Sequence, residues 1–185
     1  MLLVASVEPI PGRPTTFVSL GLLNARPVVS KAALVHDVIS DLRLDVRMLT
    51  ETRMTSDAPD AVKLDVTPPL YQVVHQPRGS STDKRGGGIA IVHRDSIKVR
   101  PFDVGTPTEF EVQVLKLMLR PSKQVIIVCV YRPPGSVLHE FCSQLADMLD
   151  QLVLFGQRFV LCGDFNCPGT SGNPLDANLA HVLQC

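Results

Sequence analysis

The chain has 185 residues, a formal net charge of zero, 45% hydrophobic and 19% charged residues. It is long enough to bury a core and too apolar to be disordered, and its charge balance excludes a globally basic surface, leaving only a local basic patch for any nucleic acid. The longest apolar run, Val125–Tyr131, falls far short of the about 20 residues of a membrane span, and the apolar start lacks the basic flank and length of a signal peptide, so the chain reads as soluble and intracellular.

Residues 1–15 are Pro-rich and aperiodic and read as a loose arm ahead of one domain over 16–185. Phe17 to Leu23 reads as a strand ending at Asn24-Ala25-Arg26. Ser30 is placed to cap a helix running to Leu42, with Ala33, Leu34, Val38 and Leu42 at helical spacing. A second strand, Asp45 to Thr50, ends at Glu51. Residues 55–87 are rich in Pro and Gly and read as loop, with a short strand, Ile89 to Val92, opening from Arg85-Gly86-Gly87-Gly88. Phe110–Leu119 and Lys123–Tyr131 flank Arg120-Pro121-Ser122, the pattern of a hairpin. The second arm is nearly all β-branched, which predicts burial on both faces. His139 to Leu154 carries Phe141, Leu145, Met148, Leu149 and Leu152 on one helical face, and Phe159 to Gly163 is the last strand. Alternation of strands and helices places the chain in the α/β class. Its five cysteines form no CxxC pair, and Cys129 and Cys162 lie in apolar runs, so they read as structural thiols.

Each strand leaves its apolar body through a polar residue: Asn24, Glu51, Tyr131, and Asp164 with Asn166. Each has a plainer explanation alone, as a turn former, a solvated strand end or a core aromatic. Together they mark one kind of position, the strand ends where α/β folds carry active sites. Asp164 and Asn166, as i and i+2 of an extended segment, would converge on one ligand, with Gly163 letting the backbone approach it. The residue types suit hard-metal hydrolysis of a phosphate ester. One carboxylate can hold Mg²⁺, a second can orient the attacking water, and amide and phenol donors can meet charge on the phosphoryl oxygens.

The segments Leu22-Leu23-Asn24-Ala25-Arg26, Leu49-Thr50-Glu51-Thr52, Arg85-Gly86-Gly87-Gly88-Ile89-Ala90, Val130-Tyr131-Arg132-Pro133-Pro134 and Gly163-Asp164-Phe165-Asn166 stand in the order found in the endonuclease/exonuclease/phosphatase superfamily. More narrowly, the chain resembles the apurinic-type endonuclease domain of non-LTR (LINE-type) retrotransposons. The resemblance implies a four-layer α/β sandwich of two facing sheets flanked by helices. It implies a Mg²⁺-dependent nuclease (Mn²⁺ being an alternative) that nicks DNA, works in the nucleus, and is followed by a reverse transcriptase domain. By motif match, Glu51 is the metal ligand, with Asn24 beside it as a catalytic residue contacting phosphate or a metal-bound water. Tyr131 contacts the scissile phosphate, Asp164 orients the water and Asn166 stabilises the phosphoryl group. Arg132, Arg85 and Arg26 are then expected to contact substrate phosphates.

The sequence departs from that pattern at several points. The family ends on a further strand with Asp and a Ser-Asp-His that nothing after Asn166 supplies, and His181 lies in a helical pattern, as a structural or surface residue. Arg47 interrupts an apolar strand, and Thr52-Arg53 stands where the family has Thr-Trp. These departures lead to the expectation of a C-terminally truncated domain, lacking its last strands and weak or inactive. The alternatives are a small-molecule phosphoesterase of the same superfamily and a non-catalytic nucleic-acid-binding remnant.

Overall fold

The computed structural model describes residues 2–6, 18–26, 28–57, 59–77, 87–120, 123–156, 158–167 and 176–183. The chain divides into two compact units, Met1–Lys98 and Val99–Cys185.

The first unit holds β1 (Leu2–Ser6), β2 (Ser19–Asn24), α1 (Ala32–Asp41), β3 (Val46–Thr50), α2 (Asp60–Asp65), β4 (Tyr71–Gln76) and β5 (Ile89–Arg94) in one sheet of order β1-β2-β3-β5-β4. β2 and β3 are parallel, from Leu20 opposite Val46 to Asn24 opposite Thr50, and the helix between them supplies the crossover. The other pairings are antiparallel. Residues 2–6, expected to be part of a loose arm, instead pair with β2 along the sheet edge; the rest of that arm lies outside the described residues. Their apolar run fits a strand, and the prolines that obscured it come later.

Helix α1 is preceded by a 3₁₀ turn, Val29–Lys31, that takes up Ser30. The residue at the α1 N-cap is therefore Lys31, without a side-chain cap, and Ser30 does not serve. The buried face is correspondingly Val35 and Ile39, while Leu34 is 51% exposed. Val35 and Ile39 pack with Val28, Leu49, Ala90 and Val92, each such burial contributing about 1.5–3 kcal/mol. Arg47 shares the Leu49 side of β3 and is fully buried. None of its three guanidinium nitrogens has a hydrogen-bond partner. Loss of hydration lowers its pKa to about 10. It fits because the facing position on β2 is Gly21, where an added Cβ would lie 2.9 Å from one guanidinium nitrogen.

The second unit is built on β6 (Lys98–Pro101), β7 (Glu111–Arg120), β8 (Lys123–Tyr131), α3 (Leu138–Leu154), β9 (Phe159–Asp164) and α4 (Ala177–Val182). The sheet order is β6-β7-β8-β9, with β7 and β8 an antiparallel pair and β8 and β9 parallel. β8 is buried at every position from Val125 to Tyr131, as its β-branched run predicts. Helix α3 buries Phe141, Cys142, Leu145, Met148 and Leu152 against Ile126, Val128 and Val130. Asp176 caps α4, which seats Leu179 in the same core and leaves His181 exposed. No helix among the described residues is long and apolar enough to cross a membrane.

Candidate active site

In each unit a parallel strand pair ends in polar side chains, and the flanking loops fix them there. In the first unit the chain after β2 stays zipped to the chain after β3: Ala25 N–H donates to Thr50 O at 2.9 Å and Val28 N–H to Thr52 O at 3.3 Å. On the other side Thr52 N–H reaches Gly88 O at 3.1 Å and Arg53 N–H reaches Gly87 O at 2.8 Å. Three loops thus continue the sheet beyond its last regular residues, with Glu51 held in the middle one. Glu51 is 5% exposed and has φ +53°, Arg53 has +55° and Arg26 +31°. Left-handed backbone at non-glycine residues costs about 1–2 kcal/mol each and persists only where surroundings over-determine it.

The Glu51 carboxylate is met by two of the expected site residues. Asn24 Nδ2 donates to Oε1 at 2.7 Å, and Arg26 Nε donates to the same oxygen at 2.8 Å. Asn24 and Glu51 are therefore brought together as anticipated. Arg26, expected on substrate phosphate, is found on Glu51. Gly87 and Gly88 have φ of +92° and +85°, and a Cβ on Gly88 would lie 2.5 Å from Thr52 Oγ1. The glycine run thus seats the Glu51 loop, a role unassigned from sequence although adjacent glycines signal it. Arg85 lies outside the described residues.

In the second unit Tyr131 and Asp164 are register partners at the ends of parallel β8 and β9, so their side chains leave the sheet side by side. Tyr131 is 1% exposed and Asp164 half-buried. Arg132 N–H donates to Asp164 O at 2.9 Å, extending the pairing one step. Beyond that, two expectations are corrected. Asn166 is not extended but left-handed, φ +45°, and its Nδ2 donates to Arg132 O at 2.7 Å. It does not continue the i, i+2 alternation from Asp164. Arg132 is only 7% exposed. Its Nη1 donates to Asn166 O at 2.8 Å and its Nη2 to Ser136 O, and it stacks on Phe141 at 5.4 Å. Arg132 and Asn166 brace one another's turns, and two of the three Arg132 guanidinium nitrogens are taken up by protein carbonyl oxygens. Gly163 likewise serves the strand pair rather than a ligand: a Cβ there would collide with the Val130 carbonyl.

The cysteines behave as read. Cys129, Cys142, Cys162 and Cys167 are buried and in no disulfide. Burial pushes the Cys162 thiol up to about 12, and raises Cys167 despite the opposing Arg132 charge. A surface hollow of about 310 Å³ between the 104–110 segment and α3 contains none of the expected site residues.

The fit to a metal is decided by donor chemistry. Glu51 and Asn24 offer carboxylate and amide oxygens, the ligands of a hard cation. Among the described residues no three His, Cys, Asp or Glu cluster. Glu51 and Asn24 are the residues that would hold such a cation, with water completing its shell.

A sequence model of the endonuclease/exonuclease/phosphatase family matches residues 18–180. The chain belongs to that family. Within it, the chain is 26% identical over 170 residues to the RNA-directed DNA polymerase from the mobile element jockey of Drosophila melanogaster, covering 89% of this chain and 17% of that protein. Its fold is that of the AP endonuclease LMAP from Leishmania major (TM-score 0.63, 17% identity, 82% of this chain and 56% of that one). It is equally that of the endonuclease domain of TRAS1, a telomere-specific non-LTR retrotransposon (TM-score 0.61, 13% identity, 89% and 69%). The resemblance to a retroelement domain and the α/β sandwich it implied are thereby established for this family member. The chain spans about a sixth of its curated relative and little over half of the Leishmania enzyme.

Proposed function

We propose that this chain is a Mg²⁺-dependent DNA endonuclease domain of retrotransposon type, hydrolysing a phosphodiester bond in one strand, with a reverse transcriptase domain as its companion in the whole protein. The observation that carries the reading is the Glu51 carboxylate: nearly buried, on left-handed backbone, at the C-terminal end of a parallel strand pair, with the Asn24 amide on it. Burial and left-handed backbone fix the carboxylate in one place, as a preorganised metal ligand has to be fixed. Similarity to the jockey polymerase and to the TRAS1 endonuclease domain supports the retroelement branch.

In this reading Glu51 and Asn24 hold the cation, which supplies electrophilic stabilisation of the phosphoryl oxygens when bound. Asp164 orients the attacking water and accepts its proton. Tyr131 donates from its hydroxyl to a phosphate oxygen as charge builds. Asn166 acts at one remove, holding the turn after Asp164 through Arg132.

The test is conversion of supercoiled plasmid to open circle by the purified chain in Mg²⁺. Asp164→Asn and Glu51→Gln are each expected to lower the nicking rate by about a hundredfold or more. Nicking that persists in both variants sinks the proposal. Salt-sensitive DNA retention without nicking identifies the binding remnant instead.

A further inference from the structure

The Glu51 carboxylate already holds a cation of its own. Arg26 Nε lies 2.8 Å from Oε1, and the pair is lopsided, with the arginine side chain 56% exposed and the glutamate side chain 6%. The carboxylate is the fixed, buried partner and the guanidinium its solvent-facing cap. The backbone on either side of Arg26 is pinned by the Ala25–Thr50 and Val28–Thr52 hydrogen bonds, so the guanidinium approaches from a fixed root. A guanidinium and a divalent cation draw their stabilisation from the same oxygen, and each repels the other.

We propose that Arg26 is a built-in competitor for the cation site and couples cation binding to phosphate binding. Arg26 caps Glu51 while the site holds no divalent cation, swings off Oε1 when a cation takes that oxygen, and is then available to a substrate phosphate. This rests on the phosphodiesterase reading and adds an order to it. Arginine is suited to the second role because its planar fork matches phosphate oxygens and stays charged. A single side chain that is either on the carboxylate or on the phosphate makes the two ligands help each other reciprocally. Asn24 keeps its hydrogen bond to the same oxygen in both states, so the carboxylate does not have to reorganise.

The first measurement uses the full chain and Mn²⁺ alone, with free Mn²⁺ followed by electron paramagnetic resonance. Arg26→Gln is expected to bind Mn²⁺ roughly three- to tenfold more tightly than wild type, the size of one charge-assisted contact on a partly exposed pair. Glu51→Gln is expected to lose that binding. The second uses fluorescence anisotropy of a labelled DNA duplex in EDTA. Glu51→Gln releases Arg26 and should tighten DNA binding in the Arg26 background but not in Arg26→Gln, a double-mutant cycle that separates release of one arginine from general loss of negative charge. Unchanged or weaker Mn²⁺ binding by Arg26→Gln overturns the inference, as does an equal Glu51→Gln effect in both backgrounds. Circular dichroism checks that both variants fold, the expected outcome given the exposure of Arg26 and the near-isosteric change at Glu51. Loss of the enzyme reading would appear differently, as absent plasmid nicking with the Mn²⁺ competition intact.

Discussion

Two residues show how local stereochemistry and burial decide what a position can hold. Gly163 stands where β9 presses on the Val130 backbone, and a methyl group has nowhere to go. Gly163→Ala should lower stability by about 1–3 kcal/mol through overpacking, measured as a reduced urea midpoint with unchanged slope; a midpoint equal to wild type would show that the strands can spread. Arg47 is the opposite case, a charge the fold would be better without. It is fully buried with none of its guanidinium nitrogens hydrogen-bonded, so Arg47→Met should raise stability by about 1–4 kcal/mol. A lowered midpoint in the same assay would mean that its packing against Gly21 outweighs its desolvation. The cost at Arg47 was readable from sequence because an arginine inside an apolar strand announces itself. The Asn166 turn was not, because its conformation is set by Arg132, 34 residues away in sequence.

Elements were legible where periodicity was strong. Helix α3 shows the predicted face almost residue for residue because its apolar positions repeat at helical spacing through 17 residues. In α1 the 3₁₀ turn ahead of the helix reorganises its start, and the buried side falls on Val35 and Ile39 while Leu34 points to solvent. β4 was read as loop because Pro68, Pro69 and Pro77 flank it and a glycine run follows, while the structure gives it intermediate or exposed positions without clean alternation. Where strands pair, side chains of one register row become neighbours: Cys129 and Cys162 lie opposite each other on β8 and β9. Burial raises both thiols, Cys162 to about 12. Both should therefore resist iodoacetamide at pH 8 in the folded chain and react once urea unfolds it, because the thiolate is the nucleophile. Peptide mapping by mass spectrometry checks this; fast labelling of Cys162 under native conditions would show that β9 opens locally.

At the scale of the molecule, each unit has its own apolar core, and net charge near zero means that pH acts through individual buried groups rather than through global repulsion. His75 on β4 is the clearest such group. Its Nε2 is buried without a hydrogen-bond partner, and its pKa is lowered below the ordinary 6.5, first by burial and then by the Lys63 charge. The folded chain therefore binds this proton less readily than the unfolded chain. Between the folded value and 6.5 the unfolded state carries more protons, so stability rises with pH across that interval. The contribution is fully present above 6.5 and is lost as pH falls through the interval, with no further change from this group below the folded value. Urea midpoints taken from pH 7.5 down to about 5 should show that decline in the wild type, and His75→Gln, which cannot titrate, should flatten it. Carboxylates titrate lower and act alike on both proteins, so the difference between the two curves isolates the histidine. Parallel curves would mean that His75 is solvated when charged, with β4 yielding at the sheet edge to admit water.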